Sequence, residues 1–385
     1  MIRFLSFLFL VTQSTLLFGQ NPIQVLEANV ESGLIVKNYP RFPSRDPSLV
    51  LSTLIGKKLL GEEPWHSSYT YPDFGIKLTA ANLGNEDVLG YMFGIMPCIS
   101  VSLKSDHRFE YSLSAGIGVS AFTHKYEINT NETNILIGSH FTASAYAGVG
   151  ISRPISPTLD LLLRATVYHA SNGHTQLPNV GLNMLCLNTG IAFRNERKQK
   201  DSFTAPTIFD QKKIGYNIKL GYGFNERGNS TGPVGGKKYD IYTTSFSIFK
   251  RYSHIGKVAA GCDYTFNNNF YQYISDSSYY SGNFTWNASV ISVFLSHEFL
   301  FGHLGLFTQG GINIHNPFYR DQYKAMEVKE DIRGYLKTLF PSRIGLNYYI
   351  KNAYKRDKKN IYLGTYVKAN FGQADFAEFV LGMTF

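Results

Sequence analysis

The chain has 385 residues, of which 44% are hydrophobic and only 17% are charged, and it contains 26 Tyr and 29 Phe. This length allows two ordinary domains or one large barrel. Abundant aromatic residues with little charge are typical of many β-strands bordered by aromatic belts at a membrane surface. After residue 20, no stretch has the roughly 18 uninterrupted apolar residues that a transmembrane helix requires.

Charge and cysteine content narrow the range of partners. The formal net charge is +9, which favours an anionic lipid surface as partner. Nucleic acid is not predicted as a partner, because the sequence carries none of the usual binding motifs. The three cysteines, Cys98, Cys186 and Cys262, are odd in number and far apart. They predict neither a disulfide framework nor a metal site, and we predict no cofactor.

The N-terminus predicts export. In "MIRFLSFLFLVTQSTLLFGQ", Arg3 is followed by a mostly apolar run from Phe4 to Phe18, and Gly19 offers a small residue for cleavage. A charged residue, an apolar run and a small residue in this order are typical of a secretory signal peptide. We predict such a peptide over residues 1–19.

Strand-like segments fill the rest of the chain, eight in each half. We predict strands over residues 24–37, 48–58, 71–82, 87–103, 107–123, 137–153, 158–171, 180–194, 213–224, 239–250, 256–267, 287–299, 302–314, 335–350, 360–371 and 375–385. Strands in soluble domains usually have about five or six residues, and most of these segments are longer. They match the roughly 9–11 residues of a transmembrane strand. The final segment ends on Phe385, as the last strand of bacterial outer-membrane barrels does.

The sequence therefore predicts an all-β fold, a transmembrane antiparallel β-barrel protein with about 16 strands in the bacterial outer membrane. The preferred arrangement is two tandem eight-stranded barrels, over residues 20–194 and 213–385, joined by a polar linker over 195–212. One large barrel is the alternative. A homo-oligomer is a further possibility that the sequence leaves open.

Loop lengths indicate the orientation, because periplasmic turns are short and external loops are longer. Residues 155–157 form a short connection on the predicted periplasmic side, whereas 124–136 and 268–286 are long on the outer side. Two connections disobey this rule. Residues 59–70 are long on the inner side, and 83–86 are short on the outer side.

The hairpin "ATVYHASNGHTQLPNVGLNMLCL", residues 165–187, places polar residues on an apolar strand face. Side chains alternate between the two faces of a strand. Arg164 and Thr166 are expected to point into the lumen, so His169 and Ser171 continue the outward row near the outer leaflet. About 6.6 Å of strand separates them, and Asn183 on the returning strand is expected beside the histidine.

A serine beside a histidine base is the arrangement of nucleophilic acyl transfer. Polar side chains on a lipid-facing wall are costly, so they call for a functional reason. The esters available at that location are the acyl chains of outer-leaflet lipids. The simpler interpretation is a polar strand end that hydrogen-bonds lipid headgroups.

Two short motifs in this hairpin, His169-Ala170-Ser171-Asn172 and Pro178-Asn179-Val180-Gly181, resemble the lipid A 3-O-deacylase (PagL) family. The segment "LSAGIGVSAF" (113–122) is also similar, and the likeness covers roughly residues 24–194. It implies an eight-stranded outer-membrane barrel that hydrolyses the ester-linked acyl chain at position 3 of lipid A.

The resemblance also implies residue roles. Ser171 would be the nucleophile and His169 the general base, while the backbone N–H of Asn172 and the side chain of Asn179 would stabilise the oxyanion. The acidic member of the family's triad falls on Asn183. An amide can orient an imidazole, but it cannot stabilise imidazolium as a carboxylate does.

The second half lacks the motif. A loose overlay places Lys368 and Asn370 where the histidine and serine stand in the first half, so we predict a non-catalytic second barrel. Two alternative functions remain open at this point. One is an esterase acting on another outer-leaflet lipid, and the other is a non-catalytic barrel serving as a pore, scaffold or adhesin.

Overall fold

The structure is a computed structural model. It describes residues 25–60, 63–105, 108–195, 214–325, 332–353 and 359–385. The predicted signal peptide and all but the first residue of the predicted linker lie outside the described residues.

The N-terminal half forms a closed barrel of eight antiparallel strands. Its strands are β1 Val25–Ile35, β2 Ser48–Lys58, β3 Asp73–Asn82, β4 Tyr91–Ser105, β5 Glu110–Phe122, β6 Phe141–Pro154, β7 Leu159–Ser171 and β8 Leu182–Arg194. Closure is made by β1 and β8, whose register runs from the pair Val25–Arg194 to the pair Ile35–Met184.

The C-terminal half forms a second closed barrel, so two tandem barrels are confirmed and one continuous barrel is excluded. Its strands are β9 Ile214–Glu226, β10 Lys238–Arg251, β11 Gly256–Asn267, β12 Ser289–Phe301, β13 Leu304–His315, β14 Pro341–Tyr349, β15 Asn360–Asn370 and β16 Gln373–Thr384. Closure is made by β16 against β9. We call the end at which odd-numbered strands finish the outer end.

Strand alternation separates a polar, packed lumen from an apolar outer wall in both barrels. Arg164 and Thr166 are buried, as predicted, whereas Leu163 and Val167 on the same strand are exposed. Inside the first barrel, Arg164 pairs with Glu27 at 3.1 Å and Lys77 with Glu31 at 3.0 Å. Pairing offsets the cost of taking these charges out of water, and an unpaired charge here would be strongly destabilising.

The predicted strand over 335–350 is partly wrong. Residues Ile332–Leu339 form a helix, and the strand begins only at Pro341. Proline lacks a backbone N–H and disfavours helical geometry in the residue before it, so the helix ends there. In chain order the helices are α1 Pro64–Ser68, α2 Asn268–Ser277, α3 Phe284–Asn287, α4 Pro317–Ala325 and α5 Ile332–Leu339. None of the helices in the described ranges is long and apolar enough to cross a membrane.

The long inner connection between β2 and β3 has a structural explanation. It contains α1, whose Trp65 is buried and packs edge-on against Phe301 of the second barrel at a centroid distance of 6.1 Å. Next to it, Asn352 Nδ2 donates a hydrogen bond to Glu63 at 3.1 Å. The extra residues thus join the two barrels at their inner ends.

Candidate active site

Three of the predicted site residues lie together on the lipid-facing wall at the outer end of the first barrel. The β7–β8 register places His169 directly opposite Asn183, and His169 Nδ1 lies 2.8 Å from Asn183 Oδ1. His169 is exposed and Ser171 is half-buried, whereas Ala170 between them points into the lumen. Alternation along one strand therefore brings the histidine and the serine to the same outward face.

The contact with Asn183 selects one tautomer of the neutral imidazole. An amide oxygen can only accept a hydrogen bond, so Nδ1 of His169 carries the hydrogen in this contact. In the neutral ring Nε2 then carries the lone pair, which can take a proton from a hydroxyl.

The hydroxyl of Ser171 is surrounded by hydrogen-bond donors. Asn179 Nδ2 donates to Ser171 Oγ at 2.8 Å, and the backbone N–H of Gly173 donates to it at 3.2 Å. Preorganised donors of this kind can stabilise negative charge that develops beside the nucleophile. The donor on Gly173 was not foreseen from the sequence, where this glycine has only the properties of a turn former.

Asn172 organises the loop that follows the serine. Its backbone N–H donates to Asn179 Oδ1 at 3.2 Å, which orients the amide of Asn179 toward Ser171. Its side chain accepts from the His174 N–H at 3.0 Å and donates to the Gln176 carbonyl at 2.7 Å. The Asn172 backbone N–H, for which the family resemblance implies an oxyanion role, donates to Asn179 in this structure.

Two glycines make the site possible. Gly181 has φ +82°, and a Cβ there would lie 3.4 Å from His169 Cε1. Gly173 has φ +67°, a conformation that side-chain-bearing residues rarely adopt. Both positions have a positive φ, which glycine adopts without strain next to His169 and Ser171.

Within the part of the chain that the structure describes, no hydrogen bond joins Ser171 to the His169 ring. Both bonds of the hydroxyl come instead from the loop, through Asn179 and Gly173. Such contacts are often open in the free enzyme and tighten when substrate binds. No group of three metal-ligating side chains occurs among the described residues.

The corresponding hairpin of the second barrel has the opposite arrangement. Lys368 and Asn370 are buried in the lumen, where Lys368 Nζ donates to Asn370 Oδ1 at 2.6 Å and to Asp375 Oδ2 at 2.5 Å. The loose overlay on His169 and Ser171 is therefore wrong, because the two pairs lie on opposite faces of their strands.

Two closed antiparallel barrels with apolar walls and charged interiors define an outer-membrane β-barrel protein. Residues 55–192 match the family model described as lipid A 3-O-deacylase (PagL), and residues 214–385 match the model described as acyloxyacyl hydrolase, C-terminal domain. The first barrel thus carries a PagL-family domain, as its motifs predict, and the second barrel is the acyloxyacyl hydrolase C-terminal domain. At the level of these families it is an ester hydrolase of the outer membrane.

Several solved structures are similar to this chain. The outer-membrane enzyme PagL has 17% identity and a TM-score of 0.30, covering 43% of this chain and 97% of its own. Neisserial surface protein A has 10% identity and a TM-score of 0.29, covering 44% and 96%. A mutant of the Rhodopseudomonas blastica porin has 11% identity and a TM-score of 0.18, covering 94% and 99%. Among curated proteins, no sequence matches significantly.

Proposed function

We propose that this protein is a serine esterase that removes the 3-O-linked acyl chain from lipid A in the outer leaflet. One observation carries the proposal: His169 and Ser171 share the lipid-facing row of β7, and Asn183 holds Nδ1 of the histidine at 2.8 Å. A substrate that diffuses in the outer leaflet reaches this wall directly from the membrane.

The reaction follows from the positions of these groups. His169 Nε2 takes the proton of Ser171 as Oγ attacks the ester carbonyl carbon, which gives a tetrahedral oxyanion. Asn179 Nδ2 and the Gly173 N–H stabilise that oxyanion, while Asn172 keeps Asn179 in place. The proton then passes from His169 to the departing sugar oxygen. Water then attacks the acyl-enzyme carbonyl while His169 takes a proton from it. The bond to Ser171 Oγ breaks, the proton returns from His169 to that oxygen, and the fatty acid is released.

Asn183 acts as the residue that orients His169. Its neutral amide selects the productive tautomer, but it gives less stabilisation to the imidazolium than a carboxylate does. We therefore expect an active enzyme with a moderate turnover number.

A role as an open pore is disfavoured by the interior of the first barrel. Met92, Met96 and Tyr168 are among its fully or almost fully buried side chains. A cavity lined by residues that include Glu27 and Arg164 has a volume of only about 10 Å³. A lumen filled in this way is typical of small barrels and leaves no wide aqueous channel.

The test is the mass spectrum of lipid A from cells that express the full chain. Wild type should remove one hydroxyacyl chain, and Ser171→Ala should leave lipid A intact. Ser32→Ala is a matched control, because Ser32 is an exposed serine on the outer wall of the same barrel. Unchanged lipid A with a folded wild-type barrel contradicts the proposal. Fatty-acid release from purified glycerophospholipid, but not from lipid A, would assign another ester.

A further inference from the structure

The outer loop between β9 and β10 of the second barrel lies against the loop that carries the oxyanion donors, residues 172–181. We propose that the second barrel positions this catalytic loop, and that Glu226 is the positioning residue. This inference rests on the proposed function, and it gives the barrel without the motif a defined part in the reaction.

Glu226 is the last residue of β9 and is 2% exposed. Its Oε2 accepts a hydrogen bond from the Leu177 N–H at 2.8 Å, in the catalytic loop. Its Oε1 accepts one from the Gly236 N–H at 2.5 Å, in the second barrel's own loop. A single buried carboxylate therefore ties the two loops together through charge-assisted bonds.

Backbone contacts extend the same interface to the residue that touches the nucleophile. The N–H of Asn179 donates to the Ser230 carbonyl at 2.7 Å, and the N–H of Glu226 donates to the His174 carbonyl at 3.1 Å. Asn179 is the residue whose amide donates to Ser171 Oγ. Displacement of the Ser230 loop would therefore move a donor at the reacting hydroxyl.

His174 adds a side-chain contact. Its Nε2 lies 3.2 Å from the Gly228 carbonyl. Burial lowers the pKa of His174 below its ordinary value, although Asp375 and Glu226 oppose this effect. The neutral ring is thus the favoured state, with Nε2–H donating to Gly228.

Side chains of the second barrel also pack against Gly173, whose N–H is the second donor to Ser171 Oγ. A Cβ at Gly173 would lie 3.2 Å from Ala377 Cβ and 3.4 Å from Val367 Cγ2. The walls of β15 and β16 therefore support the turn that presents the Gly173 N–H to Ser171. Both candidate oxyanion donors, Asn179 and Gly173, rest on the second barrel.

Glu226→Ala and Glu226→Gln in the full chain test this proposal. Alanine leaves both N–H partners without an acceptor, whereas the single carbonyl oxygen of glutamine can serve one of them. Since small displacements of catalytic groups cost up to about 100-fold in rate, we expect kcat to fall about 100-fold for alanine. We expect a smaller loss for glutamine, with KM and the fraction of folded barrel near wild type for both. Asp240→Asn is the control, because Asp240 accepts from Tyr222 within the second barrel.

Hydrogen exchange supplies a readout that needs no substrate. The amides of Leu177 and Asn179 should exchange at least about tenfold faster in Glu226→Ala than in wild type or Asp240→Asn. Wild-type exchange and kcat in Glu226→Ala would overturn the positioning role, and so would equal losses in the Asp240 control. If wild type is inactive on lipid A while Glu226→Ala still accelerates exchange, the proposed substrate fails and the positioning contact stands.

Discussion

The β7–β8 and β15–β16 hairpins occupy the same place in their barrels, yet they present opposite chemistry. In the first, His169 and Ser171 face outward and a ten-residue loop (172–181) follows. In the second, Lys368 and Asn370 face the lumen and the connection is only residues 371–372. The face on which a polar side chain stands thus decides whether it can meet a lipid or only fills the interior.

The two hairpins also differ in how their polar groups are satisfied. Lys368 is held by Asp375 and Asn370 inside the barrel, so its charge is paired there and is not available to a ligand. Among the residues that the structure describes, His169 has a hydrogen-bond partner on one ring nitrogen only, and its ring is exposed at the outer end. A polar side chain on a lipid-facing wall is energetically unfavourable. When one of its hydrogen-bonding atoms also has no partner, it is a candidate functional residue.

Removing the histidine gives the largest effect that this comparison predicts. We expect His169→Ala to reduce kcat on the order of 10⁴-fold or more, because the nucleophile loses its base. The free energy of unfolding of the barrel should barely change, since the ring lies on the exposed wall. Steady-state kinetics and urea unfolding of the refolded protein in detergent would measure both quantities.

The matched change in the second hairpin is Lys368→Met. It leaves Asp375 without its cation inside the lumen, and breaking such a buried pair costs about 3 kcal/mol or more of stability. We expect kcat per folded molecule to stay within about twofold of wild type. A variant that retains stability but loses turnover would contradict the separation of roles between the hairpins.

Replacing Asn183 by aspartate is expected to raise kcat, whereas the other two substitutions lower activity or stability. It is also the smallest of the three predicted effects. A carboxylate at this position would accept the same hydrogen bond from His169 Nδ1 and would also stabilise the imidazolium. A charge-assisted bond contributes about 1 kcal/mol more than a neutral one, so kcat should rise about fivefold. Asn183→Leu is the control and should lower kcat. Slower turnover in the aspartate variant, with the barrel folded, counts against Asn183 as the orienting residue.

Much of the fold is contained in local patterns. Period-two alternation located both barrels, and it placed Arg164 in the lumen and Leu163 on the wall. Pro341 was also a signal in the sequence that a helix ends before it. The apolar residues around it nevertheless resemble a strand, so the helix over residues 332–339 was not predicted. The helices at 268–277 and 317–325 depend on packing among distant side chains such as Ile274 and Phe318, which periodicity alone does not reveal.

The site was only partly visible in the sequence for the same reason. The spacing predicted that His169 and Ser171 share one face of their strand and that Asn183 lies beside His169, because strand register is a local property. The bond between Leu177 and Glu226 joins residues of different barrels, and no motif surrounds Glu226. The orientation of Asn172 depends on how the loop folds, so its backbone N–H could not be assigned from residue types.

The most direct test of the central claim is covalent labelling of the full chain with a fluorophosphonate in detergent micelles. The account predicts a single adduct on the peptide that contains Ser171, with labelling slowed strongly by His169→Ala and unaffected by Lys368→Met. A wild-type protein that cleaves lipid A while the adduct forms at another residue, or forms nowhere, would contradict it.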